Sequence, residues 1–395
     1  MTKRSHGDGG IDERGDGVYR LRYRVNGRRF TQTFHGNPTE ARKELRRLIR
    51  SGDTGEHIAP DRMTFKDWAE LWISLGAPSR KKRPPRQRSI ERYDELLRVH
   101  VLPNIGSKRL QAVTSIDIDA LYQKIGVEIS PRTQRHVHSV LNACLSAAVR
   151  TGKLSSNPMD RVQKVPDAGD DDELGQALDE QQLTTLVQGF RHSALFPIVA
   201  IAAYTGARRG EILALRWTDF DPDAKTLRIE RAVEETKEHG RIIKPPKTRR
   251  GIRTNVIDDN LSKLLLGLRD KHLRLMAGVP DGTEVDLSLV KLPEGALMFP
   301  SFAGDFDLTK LRDGHAVSRE FSRQARKRGF KDLTFKDLRS THETILLDKG
   351  VPVHVVAKRC GHDPAVLLRT YAKRTKKADT AASEIIETLS GIALA

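Results

Sequence analysis

Between Asp167 and Gly175 the chain reads D-A-G-D-D-D-E-L-G, an acidic, glycine-containing stretch with almost nothing apolar in it. Such a stretch can bury little and reads as a linker. It divides 395 residues, already too many for one typical domain, into blocks that must each enclose a core. A second polar, glycine-containing break falls over Ser51–Asp61. The expected fold is therefore multidomain and mainly α with small β, with domains at 1–55, 62–165 and 176–395. No internal repeat at a solenoid period is evident.

In the first block, Tyr19, Leu21, Tyr23 and Val25 alternate with Arg20, Arg22 and Arg24, the period of a strand with one apolar face. Asn26-Gly27 predicts a tight hairpin turn, and Arg28 to Phe34 supplies the returning strand. Asn37, Pro38 and Glu40 then predict a capped helix start. The arginine face fits either a solvated strand surface or a small sheet laid in the major groove of DNA.

The second block predicts a bundle of four helices ending near Asn157-Pro158. Thr64 and Asp67 open the first, with Trp68, Leu71, Trp72 and Leu75 at helical spacing and the two tryptophans expected in the core rather than stacked on DNA. Ile90, Tyr93, Leu96 and Leu97 mark the second, Thr114 with Asp117 starts the third, and Ser130-Pro131 starts the fourth, bearing Val137, Leu141, Leu145 and Ala148. Between the first two lies a Pro-interrupted basic run, Arg80, Lys81, Lys82, Arg83, Arg86 and Arg88. It suits a solvated segment or a loop on phosphates.

The third block mixes helices with a hairpin, T-L-R-I-E-R-A-V and R-I-I-K-P-P-K-T-R-R-G-I-R-T-N-V-I, bracketing a polar turn at Lys237–Gly240. Gly278 to Gly295 lacks periodicity and reads as an insertion between helices.

Net charge +17 with basic residues in every segment points to a polyanionic partner such as nucleic acid. Two widely separated cysteines, Cys144 and Cys360, match neither a disulfide framework nor a zinc spacing. With no apolar run near the roughly 18 residues that span a bilayer and no signal-peptide core at the N-terminus, a cytoplasmic protein without a membrane partner is expected.

The chemistry-bearing residues fall late in the chain. T-G-A-R-R-G-E sets Arg208 three residues before Glu211, and C-G-H-D-P-A-V-L-L-R-T-Y sets Tyr371 nine residues after His362. Phosphoryl transfer needs an in-line nucleophile and fixed positive charge on the non-bridging oxygens. Arginines, a histidine and a tyrosine hydroxyl can supply both.

These segments resemble the motif boxes of the tyrosine recombinases, in particular phage-type integrases. T-G-A-R-R-G-E-I-L-A-L-R-W-T-D is similar to the first arginine box, with Arg208 as catalytic arginine and Glu211 as its companion. P-K-T-R-R-G-I-R resembles the hairpin of the catalytic lysine, here Lys247, with Arg249 and Arg250 beside it as DNA contacts. T-F-K-D-L-R-S-T-H resembles the second box and gives Lys336 and Arg339; the last motif gives His362 and the nucleophile Tyr371. Lys336 stands where histidine is usual, Ser340 where histidine is frequent and Cys360 where leucine is usual, and the family admits lysine at the first. A lysine there keeps a positive donor with a reference pKa of about 10.4 rather than about 6.5.

The resemblance extends to nearly the whole chain: V-L-P-N-I-G-S-K-R-L and A-A-V-R-T-G-K-L-S-S-N-P are similar to core-binding-domain segments, and the first block resembles an arm-type β-sheet domain. It implies a helical core-binding domain, an α+β catalytic domain, and site-specific DNA integration or excision through a 3′-phosphotyrosine link and a Holliday junction. No cofactor or metal is implied. The implied partners are double-stranded attachment sites and three further copies of the chain, a homotetramer on DNA in a bacterial host's cytoplasm and nucleoid, with room for a directionality factor or DNA-bending host protein. A DNA-binding regulator that kept the fold without catalysis is the alternative, and a relaxing topoisomerase a further one. Past Tyr371, Ile385, Ile386, Leu389 and Ile392 recur at near-helical spacing, which fits docking on the same or a neighbouring copy.

Overall fold

In the computed structural model, which describes residues 9–25, 27–53, 58–59, 61–79, 84–163, 176–246, 248–304 and 306–372, the first sheet follows the alternation in its sequence. Strands β1 (Gly10–Gly15), β2 (Val18–Val25) and β3 (Arg28–His35) form an antiparallel sheet in that order. The expected hairpin is present in register, Val25 opposite Arg28 and Tyr19 opposite Phe34. Strand β1 was not expected: G-I-D-E-R-G has no alternation, and it pairs on the far edge of β2 with a register shift between Glu13 and Gly15. Helix α1 (Pro38–Asp53) starts where predicted, since the Asn37 and Glu40 side chains each accept the other's backbone N–H. It runs into the stretch read as a linker, of which residues 54–57 and 60 lie outside the described residues. Ala41, Leu45 and Leu48 of α1 cover Tyr19, Leu21 and Tyr23 in a small core of their own.

The four predicted helices follow. They are α2 (Phe65–Ser74), α3 (Gln87–Leu96) continued through a π-turn at Leu97–Val101 into α4 (Leu102–Ile105), then α5 (Ser115–Gly126) and α6 (Pro131–Arg150). Thr64 and Thr114 close reciprocal capping boxes with Asp67 and Asp117. Val137, Leu141, Leu145 and Ala148 are all fully buried. The two tryptophans of α2 lie in the core as expected. Trp68 and Trp72 are buried and donate their indole N–H groups to Cys144 O and Pro78 O, whereas Leu71 and Leu75 are 40% and 64% exposed. The buried face of α2 is formed by Phe65, Trp68, Ala69 and Trp72, and the two leucines lie at its margin. Asn157 caps a 3₁₀ turn at Pro158–Arg161, where the bundle was expected to end.

The chain divides into two compact units, Met1–Asp172 and Glu173–Ala395, with the break inside the acidic stretch. The whole of that stretch falls within residues 164–175, which lie outside the described residues.

The second unit is built around α8 (Phe196–Thr205), which is apolar on every side and packs against α7 (Glu180–Gly189). The short α9 (Arg209–Ile212) follows. Strands β4 (Phe220–Asp221), β5 (Thr226–Ile229), β6 (Ala232–Thr236), β7 (Gly240–Lys244) and β8 (Arg253–Val256) make two antiparallel sheets, β4-β5-β8 and β6-β7. The single predicted hairpin is therefore split. Pro245 and Pro246 have no N–H to continue the ladder beyond β7. Helix α10 (Asp259–Ala277) ends on Gly278 at positive φ, and 278–295 carries neither helix nor strand, as predicted. Helices α11 (Gly314–Lys327), α12 (Asp337–Asp348), α13 (Val353–Cys360) and α14 (Pro364–Ala372) complete the unit. Among the described residues no helix is long and apolar enough to cross a membrane.

Candidate active site

The polypeptide leaves α8 through Gly206 at φ 64°, and a Cβ there would lie 2.8 Å from both Cys360 Sγ and the His342 ring. Conformation and space both require glycine, and the sharp exit presents Arg208 at the start of α9. Arg208 is fixed at two points on one carboxylate: its backbone N–H donates to Glu211 Oε2 at 2.9 Å and its Nη1 to Oε1 at 2.8 Å. The guanidinium stays 45% exposed while Glu211 is 3% exposed, so a buried anion aims a solvent-reaching cation.

Arg339 stands on the first turns of α12, and each guanidinium nitrogen has a partner. Nη1 donates to Gly206 O at 2.7 Å, Nη2 to Cys360 O at 2.6 Å, and Nε to His362 Nε2 at 3.2 Å. Three of its five N–H groups are so engaged. The bond to Gly206 ties this arginine to the turn that presents Arg208, and the bond to Cys360 ties it to the end of α13. His362 follows there because Gly361 closes the helix at φ 67°. The sequence-predicted Arg208, Glu211, Arg339 and His362 are thus brought together from the ends of α8, α12 and α13.

Glu343, which the sequence reading missed, lies among them. Its Oε1 is 2.9 Å from Arg339 Nε and 2.8 Å from His362 Nε2. Burial opposes its ionisation, but the bond to His362 and the charge of Arg339 outweigh that and hold its pKa below the usual glutamate value. Nε2 of His362 can donate to Glu343 or accept from Arg339, not both. The available signal was spacing, since Glu343 is i+4 from Arg339 on a predicted helix.

Arg253 was also missed. It is the first residue of β8, a strand whose polarity is reversed: Arg253 and Asn255 point inward while Val256 is 65% exposed. That reversal was its signal. Asn255 donates to Thr205 O at 3.3 Å, and Arg253 pairs with Glu211 Oε2 at 2.8 Å. Glu211 is consequently held ionised against its burial by Arg253 first and Arg208 second, with its pKa lowered.

A further buried contact braces the floor. Arg359 Nε donates to His342 Nε2, so the proton on His342 sits on Nδ1 and is donated to Ala203 O at 2.9 Å. Burial, then Arg359, lowers the His342 pKa to about 4, which makes it a neutral brace.

Other predicted positions are placed as follows. Lys336 is exposed immediately before α12, one turn from Arg339. Lys247 lies outside the described residues, but both flanks of its loop are set. On one side Lys244 pairs with Glu234, and on the other a 3₁₀ turn at Arg249–Gly251 is anchored by an Arg250–Asp363 ion pair. Beside this turn a cavity of about 520 Å³ opens, with Arg250, Arg253, Lys358, Arg359 and His362 in its wall. The Tyr371 hydroxyl, on α14, donates to Asp348 Oδ1 at 2.9 Å.

Arg20, Arg22 and Arg24 project from the exposed face of β2, with Arg22 paired to Asp12 at 2.7 Å. Arg86 and Arg88 are exposed at the start of α3, and Arg249 is exposed on its turn; Arg80, Lys81, Lys82 and Arg83 lie outside the described residues. So does the apolar tail with Ile385, Ile386, Leu389 and Ile392.

Residues 176–378 match the Phage integrase family. The chain is 26% identical over 391 residues to an integrase of Streptomyces ambofaciens, covering 95% of this chain and 94% of the relative. Its fold is similar to that of the Tn1549 transposon integrase in complex with a circular intermediate DNA, at TM-score 0.64 and 17% identity over 82% of this chain and 99% of the other. It is also similar to the lambda integrase tetramer bound to a Holliday junction, at TM-score 0.53 and 16% identity over 92% and 96% of the two chains. With Arg339 bonded both to the turn that presents Arg208 and to His362, the chain belongs to the phage integrase family of tyrosine recombinases.

Proposed function

We propose that this protein is a site-specific DNA recombinase that integrates or excises a phage or other mobile element. The observation that carries the reading is the convergence of Arg208 and Arg339, the second bonded to the turn that presents the first, beside His362. Planar forks on a fixed frame suit the two non-bridging oxygens of a phosphate as charge builds in a pentavalent transition state.

In this reading the Tyr371 oxygen attacks phosphorus, and its proton passes to a base, His362 or Lys336. The bond from phosphorus to the 5′ oxygen breaks, and Lys247 protonates that oxygen. The 3′-phosphotyrosine link retains the bond energy until a partner strand's 5′ hydroxyl reverses the step. No nucleotide, metal or other cofactor is then needed. Glu211 orients Arg208.

Three functional parts are proposed along the chain. Residues 1–55 bind arm-type sites through Arg20, Arg22 and Arg24, a division supported by the separate core under β1–β3. Residues 62–165 bind the core site, with the basic run from Arg80 to Arg88 on phosphates, and in the third part the turn residues Arg249 and Arg250 contact phosphates. Residues 176–395 cleave. Four copies would act on two attachment sites in the cytoplasm of a bacterial host, exchanging strands through a Holliday junction. The named Holliday-junction complex of the lambda integrase supports that assembly by analogy of fold.

Covalent trapping tests the reading. Nicked duplexes from DNA flanking the gene should give a denaturant-resistant adduct with wild type and none with Tyr371→Phe. Binding by both proteins without any adduct would favour the non-catalytic regulator. Relaxation of supercoils without a site-specific product would favour a topoisomerase.

A further inference from the structure

We infer that Arg253 is a positioning residue that sets Arg208, the loop of Lys247 and the turn of His362 in one register; the inference rests on the strand-cleavage reading above. Its guanidinium donates in three directions to three different segments. Nη2 bonds Glu211 Oε2 at 2.8 Å, Nη1 bonds Gly251 O at 3.0 Å, and Nε bonds Arg359 O at 2.7 Å. Glu211 holds Arg208, Gly251 closes the turn that follows Lys247, and Arg359 lies three residues before His362. One side chain therefore reaches the supports of three proposed catalytic groups.

Burial supports the assignment. The Arg253 and Glu211 side chains are both 3% exposed, and desolvating an ion pair is costly enough that apolar residues of equal volume often do as well for stability. What an apolar replacement cannot supply is direction. The planar fork holds its donors at fixed angles, whereas a lysine offers a single ammonium that can serve one of the three segments well. Packing around the joint is close: a Cβ on Gly361 would lie 2.9 Å from Arg250 O and 3.2 Å from Arg253 Nη1. A shift of the Lys247 turn would thus be felt at the turn of His362, and small displacements of this kind are enough to slow an in-line reaction.

The test uses the full chain as wild type, Arg253→Lys and Arg253→Gln, with Tyr371→Phe as the inert control. Each is measured for melting temperature, for affinity to a duplex carrying the core site, and for single-turnover adduct formation on the nicked duplex at saturating protein. The expected result is affinity within about threefold of wild type, a melting temperature within a few degrees, and adduct formation slowed about 10–100-fold in both variants, as for loss of charge-assisted bonds in a preorganised site. Adduct formation at the wild-type rate in Arg253→Lys would overturn the inference. So would a parallel fall of stability, affinity and rate in both variants, or failure of both to fold, since either is the signature of a purely structural pair. A wild type that forms no adduct while binding the duplex strikes at the cleavage reading itself, and removes this inference with it.

Discussion

The Tyr371 hydroxyl donates to Asp348 Oδ1 at 2.9 Å, which ties the proposed nucleophile to the C-terminal end of α12. Partial burial, then the bond and charge of Asp348, raise the phenol pKa above its ordinary value. A raised phenol pKa means less phenolate at neutral pH, so this contact keeps the hydroxyl protonated. It must break before attack. Asp348→Ala should accelerate adduct formation by about fivefold, the worth of one ordinary hydrogen bond. A single-turnover trapping time course checks this, and a rate at or below wild type would show that the contact is no restraint.

Arg339 uses a fork that no other cation reproduces. Arg339→Lys retains charge but cannot bond Gly206 O, Cys360 O and the His362 side together. Cleavage should fall about 100–1,000-fold, the scale for losing a preorganised donor at a developing oxyanion, with DNA affinity changed much less. Comparing binding isotherms with cleavage rates on the same duplex decides the matter; an equal loss in both would contradict it.

Glu343 makes stability and activity depend on acid. Its folded pKa is depressed, so its contribution is fully present above the unfolded glutamate pKa of about 4.3 and is lost as pH falls through the lower folded value. Glu343→Gln should therefore be less stable at pH 7, by about 1–3 kcal/mol for a buried partner left imperfectly satisfied. The gap between the two proteins should narrow at acid pH. Urea unfolding at pH 7 and pH 4 measures both; a gap that is constant or widens in acid would be inconsistent with an ionised Glu343.

Gly206 joins the floor of the site to stability. Gly206→Ala places a β-carbon 2.8 Å from Cys360 Sγ and the His342 ring at a left-handed backbone position. We expect a loss of about 1–3 kcal/mol in urea unfolding, with cleavage reduced through the displaced carbonyl that accepts from Arg339. Wild-type stability would mean that the turn relaxes freely.

Much of this was legible in the residues because its causes are local. The alternation over Val18–Val25 was enough for β2. Reciprocal caps at Asn37, Thr64 and Thr114 marked three helix starts, and the spacing of Val137, Leu141, Leu145 and Ala148 marked the buried face of α6. The candidate nucleophile and arginines came from four short segments whose order a resemblance could match. Strand β1 was missed because its two glycines and charged middle carry no period; only pairing with β2 makes it a strand. Helical spacing grouped Leu71 and Leu75 with Trp68 and Trp72 but could not give the width of the buried face, which leaves the two leucines exposed.

The sequence by itself determined the blocks, most helices and which residue types were present for phosphate chemistry, since capping, alternation and burial depend on neighbours a few residues away. Only the tertiary structure decided how those residues are held. Arg253 meets Glu211 across 42 positions and Arg339 meets Gly206 across 133. No local pattern encodes such pairs, because they exist only once separate core elements have packed and brought distant polar groups together out of water. For the same reason the two inward polar residues of β8, an anomaly in the sequence, become in the fold the supports of the Arg208 turn.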